Sequence, residues 1–580
     1  MKRGFKIAAI VVGVLIILLA VAPFLIPVNQ FRPTIEQKAS AALGRRVEVG
    51  NLSLSLLSGS LGADNLSIAD DPKFSNSAFL TAKSVKVGVE IIPLILSKTL
   101  NVTDVVIDSP QVMLIRSGGG DWNYSSLGGS PTEKTPAKPA AASPSSSAPA
   151  SSSPGEFAVQ KLQLKNGKIT VGSTGSQKRS VYDDVTVVAS NVSPTSKFPV
   201  TISAKLPGGG DFKLDGDVGP INQANTQLTP LDAKLTVNSL NIASTGFVDP
   251  ALGLGGILDL NSTVSSQNGT ASAKGSAKLS KALLVAGGSP SSVPVVINFG
   301  TRYDLSKNSG VLEPSEVKIG NATSHLSGTY QIPEAGTIVN MKVQGQNLPA
   351  AELQNFLPAL GIHLPKGASL QAGTLSTDLN VAGPTNKLVT NGNIGLFGGK
   401  LAGFDLGSKL STVSSLAGIK TGGDLLIEKL TTNVRMAPDG LKADNFNAVL
   451  PSIGSMVGGG EVDSKNQLDF KMVATLPQSV LTNAASPVSS ATGMLGKVTG
   501  GAGGAGGCKQ GMTVPFQIKG TTSEPKFMPD VGNLAAGMLK SQLGCAGGLT
   551  GAAGNTAIKT PQDAAGALGQ LGGLFKKKKP

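Results

Sequence analysis

From Lys161 to Val171 the chain reads KLQLKNGKITV, with Leu162, Leu164, Ile169 and Val171 at alternate positions on either side of Asn166-Gly167. Period-two alternation marks a half-buried strand. Asn-Gly between two such runs predicts a two-residue hairpin turn, setting Leu164 opposite Ile169 and Leu162 opposite Val171. All four then share one face, and Lys161, Gln163, Lys165, Lys168 and Thr170 take the other. The same one-sided grammar recurs at Phe212/Leu214, Leu235/Val237, Leu375/Leu379/Val381 and Leu468/Phe470/Met472. Near the end, a strand over 512–520 places Val514, Phe516 and Ile518 on one face. Pro515 within it marks an edge, so the sheet is expected to finish there. No helical pattern of ten to fifteen residues separates these runs. That disfavours βαβ units and predicts a mainly β chain with a largely antiparallel sheet.

Two stretches break the pattern near the N-terminus. Ile7 to Ile26 holds twenty residues without a charge, about the number that crosses a hydrocarbon core of ~30 Å. Lys2, Arg3 and Lys6 precede it, so a single-pass anchor over 7–27 is expected, with 1–6 cytoplasmic and the bulk outside. A cleaved signal peptide is the rival, but the run is too long and Pro23 would follow the cut at Ala20-Val21-Ala22. Next, Ile35, Ala39, Ala42 and Leu43 share one helical face, bounded by Pro33 and Gly44. Val47 and Val49 then alternate, and after Gly50-Asn51 the parity flips to Leu52, Leu54 and Leu56. Such a flip demands a turn or bulge.

The stretch 128–155, rich in Pro, Ser and Ala, has nothing to bury and reads as a disordered linker between two folded parts, 28–127 and 156–480. From 481 to 580 the chain is Ala/Gly-rich. Apart from the 512–520 strand, only weak amphipathic helices are expected there, one carrying Val531, Leu534 and Met538.

Composition narrows the function. The formal charge is +14, but the basic residues are dispersed apart from Lys576–Lys579, and one Trp with four Tyr gives no stacking platform for nucleic acid. His325 and His363 are the only histidines, and no nucleophile or ligand cluster stands beside either, so no enzyme activity, cofactor or metal is expected. Gly501–Gly506 matches GxGxxG only formally, inside a low-complexity tract. Asp70-Asp71 and Asp183-Asp184 read as solvated turn carboxylates. Cys508 and Cys545, placed outside the cytoplasm by the expected topology, are candidates for a disulfide closing a loop of about 37 residues, which would contribute roughly 3 to 4 kcal/mol.

Three phrases, LGRRVEVGNLSLSLL (43–57), NLSIADDPKFSNSAF (65–79) and VVIDSPQVMLIRSGGGDWNYSSL (105–127), follow the anchor in an order that resembles the AsmA family of diderm envelope proteins. A second resemblance runs through LAGFDLGSKLS (401–411), GGGEVDSKNQLDFKMVATL (458–476) and VPFQIKGTTSEPKFMPD (514–530). The resemblance implies an elongated, curved antiparallel sheet with an apolar groove, related to bridge-like lipid-transfer proteins. It also implies an inner-membrane anchor and a periplasmic role in outer-membrane biogenesis, handling phospholipid.

On that reading Leu162, Leu164, Ile169, Val171, Phe212, Leu214, Leu235, Val237, Leu468, Phe470 and Met472 line the groove. Ile35, Leu43, Arg45 and Arg46 sit near the membrane, the arginines meeting headgroups or solvent and the helix alternatively capping the sheet. A closed sandwich would use the same one-sided strands. The alternative function is a scaffold for outer-membrane protein assembly that binds partners along an exposed sheet edge.

Overall fold

In a computed structural model the chain forms one large sheet, with residues 28–55, 59–90, 102–128, 159–222, 225–333, 336–404, 424–476 and 512–530 described. The expected anchor, the expected linker 128–155 apart from Gly128, the Cys508/Cys545 pair and the helices expected after 530 lie outside these residues. Among the described residues no helix is long and apolar enough to cross a membrane.

Helix α1 (Arg32–Leu43) precedes strands β1 (Val47–Glu48), β2 (Leu52–Ser55), β3 (Ser60–Ala69) and β4 (Ala78–Val89). There follow β5 (Val102–Asp108), β6 (Gln111–Arg116), β7 (Val159–Ser173), β8 (Ser176–Val192), β9 (Phe198–Lys205), β10 (Asp211–Val218), β11 (Leu231–Asn241) and β12 (Gly255–Gln267). Then come β13 (Thr270–Leu283), β14 (Val295–Asp304), β15 (Ser309–Ile319), β16 (Ala322–Gln331), β17 (Ile338–Pro349), the short helix α2 (Ala350–Gln354), β18 (Ser369–Pro384) and β19 (Val389–Ala402). The chain finishes with β20 (Leu425–Ala437), β21 (Gly440–Leu450), β22 (Gly454–Asp463), β23 (Leu468–Leu476), β24 (Met512–Gly520) and β25 (Pro525–Pro529).

From β7 onward each strand pairs antiparallel with the next, as the one-sided patterns predict. The exception is β7, which runs parallel to both β5 and β6. A parallel neighbour cannot be reached by a tight turn, because the chain must first travel back along the strand. The Pro/Ser/Ala-rich stretch falls in that connection. On either side of that connection, β6 and β7 are neighbours in one sheet.

The Asn166-Gly167 hairpin does not form. β7 continues through it as a bulge: Asn166 takes φ 54°, and the register to β8 shifts on both sides of Gly167. Leu164 lies across from Ile107 and Val187, and Ile169 across from Val112 and Tyr182, not across from each other. The bulge has company. Asn65, Ser109, Asn166 and Asp184 all have positive φ and occupy matching levels of β3, the β5–β6 junction, β7 and β8. The β1–β2 break at Gly50-Asn51 joins the same line, Gly50 N–H donating to Asp64 O and Asp64 N–H to Asn51 O. A bulge flips the parity of its strand. Because neighbours flip together, the apolar residues stay on one face above and below the line. Leu162, Leu164, Ile169 and Val171 do share a face, for a different reason from the one predicted.

Glycine sharpens the coiling further along. Gly328 and Gly392, both at φ 153°, stand on the apolar face. A Cβ there would lie 2.2 Å from Asn340 O and 2.0 Å from Asp378 O, so only glycine lets the adjacent strand approach so closely.

Both edges are blunted. At the first, the outward amides of Val47, Val49 and Leu52 donate to Ser40 Oγ (2.9 Å), Glu36 Oε1 (2.8 Å) and Asn29 Oδ1 (2.8 Å), so α1 and the turn before it cover the edge. The last edge lies one strand beyond the one that Pro515 suggested, since β24 pairs with β25. Asp530 N–H donates to Pro515 O, which turns the amides of Lys526 and Met528 inward. The outward positions of β25 are Pro525, Phe527 and Pro529, and proline has no N–H, so Phe527 alone offers an outward donor.

Candidate functional site

An unbroken apolar ladder runs from β2 to β11. Leu52, Ala63, Val85, Ile107, Leu164, Val187, Ile202, Leu214 and Leu235 stand directly opposite one another in successive lanes. Past the middle, Leu312, Gly328, Met341, Val381, Thr390, Met436, Leu441, Val462 and Leu468 form a second run. Directly opposed residues share a face, so the apolar residues of distant strands form one surface.

Of the predicted lining residues, Leu162, Leu164, Ile169, Phe212, Leu214, Leu235, Leu468 and Phe470 are half-buried, while Val171, Val237 and Met472 are buried. Phe212 pairs with Val237 and Leu214 with Leu235, bringing these four together. Phe470 and Met472 belong to a separate patch toward the other end, where Met472 pairs with Phe516. Among the described residues β1 and β2 pair only with β3, and β25 only with β24, so the sheet is open and not closed into a barrel.

The face is roofed in places from the end of the strands that carries the longer connections. At the start, Ala39 and Leu43 of α1 pack with Val47, Val49, Leu52, Leu66 and Ile68, so the helix caps the sheet; Ile35 is 39% exposed. Over β6 to β8, Trp122 stacks on Tyr124 with centroids 5.8 Å apart and meets Phe247 at 5.7 Å, and Tyr182 meets Phe247 at 6.2 Å. The Tyr182 hydroxyl donates to Thr245 O at 2.9 Å, and burial pushes its pKa up to about 12.

The predicted headgroup contact by Arg45 is overturned. Arg45 is buried: its guanidinium reaches Asp70 Oδ1 at 3.4 Å and Ser126 Oγ at 2.9 Å, donates to the Asn123 carbonyl, and lies over the Phe79 ring at 5.2 Å. Asp70, expected in solvent, is equally buried and accepts from Asn123 Nδ2 at 3.0 Å. Asn123 also holds Met113 O and the Ile115 amide, at 2.8 and 3.0 Å. A charge removed from water needs this many partners. Each residue comes from a different one of the three phrases 43–57, 65–79 and 105–127, so the network ties them together. Arg46 is exposed and pairs with Glu48. Asp183, also exposed, pairs with Lys168 at 3.1 Å. Sequence periodicity carries no signal for Arg45–Asp70–Asn123, because polar residues in turns look solvated until a loop closes over them.

A hollow of about 760 Å³ lies on the opposite, polar face across β10 to β13, lined by Lys213, Asp215, Asp232, Lys234, Thr263 and Lys274 among others. Its acids are paired, Asp215 with Lys213 and Asp232 with Lys197. Among the described residues no group of three or more His, Cys, Asp or Glu is arranged to hold a metal ion.

The model of the AsmA family matches residues 1–282. No curated protein and no solved structure matches the chain. The first group of phrases lies inside the matched region, and those at 401–411, 458–476 and 514–530 lie beyond it.

Proposed function

Taking as premise that this chain is an AsmA-family protein, matched over residues 1–282, we propose that it handles phospholipid in the cell envelope by laying acyl chains along the apolar face of its sheet. The observation that carries this is the cross-strand ladder, which from Ala63 to Leu235 is an unbroken row of half-buried apolar side chains. Withdrawing a sixteen-carbon chain from water is favourable by on the order of 12 kcal/mol at ~0.8 per methylene. A surface that covers the chain along most of its length recovers much of that. β1 and β2 share one lane and β5 and β6 another, leaving 23 lanes, or roughly 105 Å of sheet contour at ~4.8 Å per step. That is several acyl chains long. We further infer an inner-membrane anchor at 7–27 and a non-enzymatic role.

The scaffold alternative, by strand addition, is disfavoured by both edges. One has its amides taken by Ser40, Glu36 and Asn29, and the other has proline at two of its three outward positions. The deciding experiment is lipid mass spectrometry of an organic extract of the purified full-length protein. Stoichiometric phospholipid, lost when Leu162, Leu164 and Leu235 are replaced by Asp, is expected. A folded, lipid-free preparation would overturn the proposal.

A further inference from the structure

α1 meets the sheet with one stripe and leaves the neighbouring stripe bare. Arg32, Glu36, Ala39 and Leu43 recur at spacings of four, three and four, and all are half-buried. Phe31, whose backbone is already helical at φ −81° and ψ −13°, starts a second stripe with Ile35, Lys38 and Ala42. It has the same spacings one residue earlier, about 100° round the helix. All four of its members are exposed, Phe31 by 53% and Ile35 by 39%.

The docked stripe has two unlike sides. Toward Gln37 and Ser40 it meets the edge amides, Val49 N–H donating to Glu36 Oε1 at 2.8 Å and Val47 N–H to Ser40 Oγ at 2.9 Å. Toward Phe31 and Ile35 it meets apolar side chains, Val28 and Ala39 packing against Val47, Val49 and Leu52. Leu52 and its partner Ala63 begin the cross-strand ladder. The bare stripe therefore adjoins the apolar face and extends it past the first edge. What lies closest along the chain is apolar too. The uncharged run Ile7–Ile26 ends two residues before Val28, and at no more than about 3.6 Å per residue Phe31 lies within about 18 Å of Ile26. An aromatic and an aliphatic side chain beside a lysine suit the boundary between acyl chains and anionic headgroups.

We propose, resting on the anchor inferred above, that the bare stripe seats α1 in the surface of the bilayer that holds 7–27. Phe31, Ile35 and Ala42 dip below the headgroups, and Lys38 meets anionic ones. α1 reaches from the Leu52 amide, held by Asn29, to the Val47 amide, held by Ser40, so it runs alongside β1 and β2. Seated flat, it lays these strands along the membrane, and the later lanes step away from it. Apolar surface then leads from the acyl region over Phe31 and Ile35 to the first lanes of the sheet.

The test places a benzophenone amino acid at Ile35, Gln37 or Leu214 of the full-length protein, one at a time. The protein is held in vesicles of phosphatidylethanolamine and phosphatidylglycerol, and adducts are identified after irradiation, there and again after purification in detergent. At Ile35 a phospholipid adduct is expected in vesicles and its loss in detergent, because a bilayer contact does not survive extraction. Gln37, exposed on the other side of the helix, should capture several-fold less. Lys38→Glu should lower capture at Ile35 several-fold and leave Leu214 as it was. Equal capture at Gln37 and Ile35, a protein adduct in place of lipid at Ile35, or an Ile35 adduct that persists in detergent would each overturn the seat. Release of the chain from the vesicles by alkaline carbonate would overturn the anchor, and the seat with it. Missing adducts at Leu214 alone would count against acyl chains on the sheet, while capture at Ile35 still upheld the seat.

Discussion

Arg45 and Asp70, 25 residues apart in sequence, meet at 3.4 Å with side chains 4% and 0% exposed. Asn123 and Ser126, from the loop after β6, complete the cage. One charged pair thus fixes the end of α1, the end of β3 and that loop to one another.

Removing either partner strands the other charge out of water. Asp70→Ala or Arg45→Ala should each destabilise by about 3 to 5 kcal/mol, read from the shift in a denaturant midpoint. The double variant should cost clearly less than the sum, because the second removal takes away the stranded charge. Additive losses would show that the two do not act as a pair.

Glu36 gives the first edge a pH dependence. The Val49 amide, then the Arg32 guanidinium, hold its carboxyl below the ordinary value of 4.5. A depressed folded value means that the contribution is complete above the ordinary value and fades as pH falls through the folded one. The docking of α1 on β1 should therefore weaken in acid. Glu36→Gln should flatten the part of the stability loss that occurs between about pH 6 and about pH 3. An unchanged profile in the variant would assign the acid loss elsewhere.

The bulge in β7 makes a backbone prediction. With φ 54°, Asn166 occupies a region closed to branched side chains. Asn166→Val should cost about 1 to 2 kcal/mol, whereas Asn166→Gly should be nearly neutral, losing only the exposed contact to Asp108 at 3.2 Å. If valine were tolerated as well as glycine, the strand would have to run through Asn166-Gly167 without a left-handed residue.

Trp122 is the only tryptophan, so its emission reports one place. Phe247, reaching back across β9 and β10, covers part of its ring. Phe247→Ala should shift Trp122 emission to the red as water reaches the indole. A spectrum identical to the parent's would mean that the loop after β11 does not rest there.

Much of this architecture is local and was readable. One-sided alternation depends only on neighbouring residues, so Phe212/Leu214, Leu235/Val237 and Leu468/Phe470/Met472 fell on the expected face. The helix over 32–43, with Pro33 at its start and left-handed Gly44 at its stop, followed from the same kind of signal. Asn166-Gly167 carries a turn signal in the sequence, and Asn166 does take positive φ. Whether it reverses the chain or bulges a strand depends on what lies alongside, and here β5 and β6 pair with both halves of β7.

By itself, then, the sequence determined the period, the apolar face and the places where the backbone must leave the β region, because each is set within a few residues. Tertiary structure alone decided the rest. It made β7 parallel to β5 and β6, aligned the bulges so that one face stays apolar, and buried Arg45 against Asp70 and Asn123. Each of these joins residues far apart in the chain, and its free energy comes from desolvation and register that exist only once the strands have met.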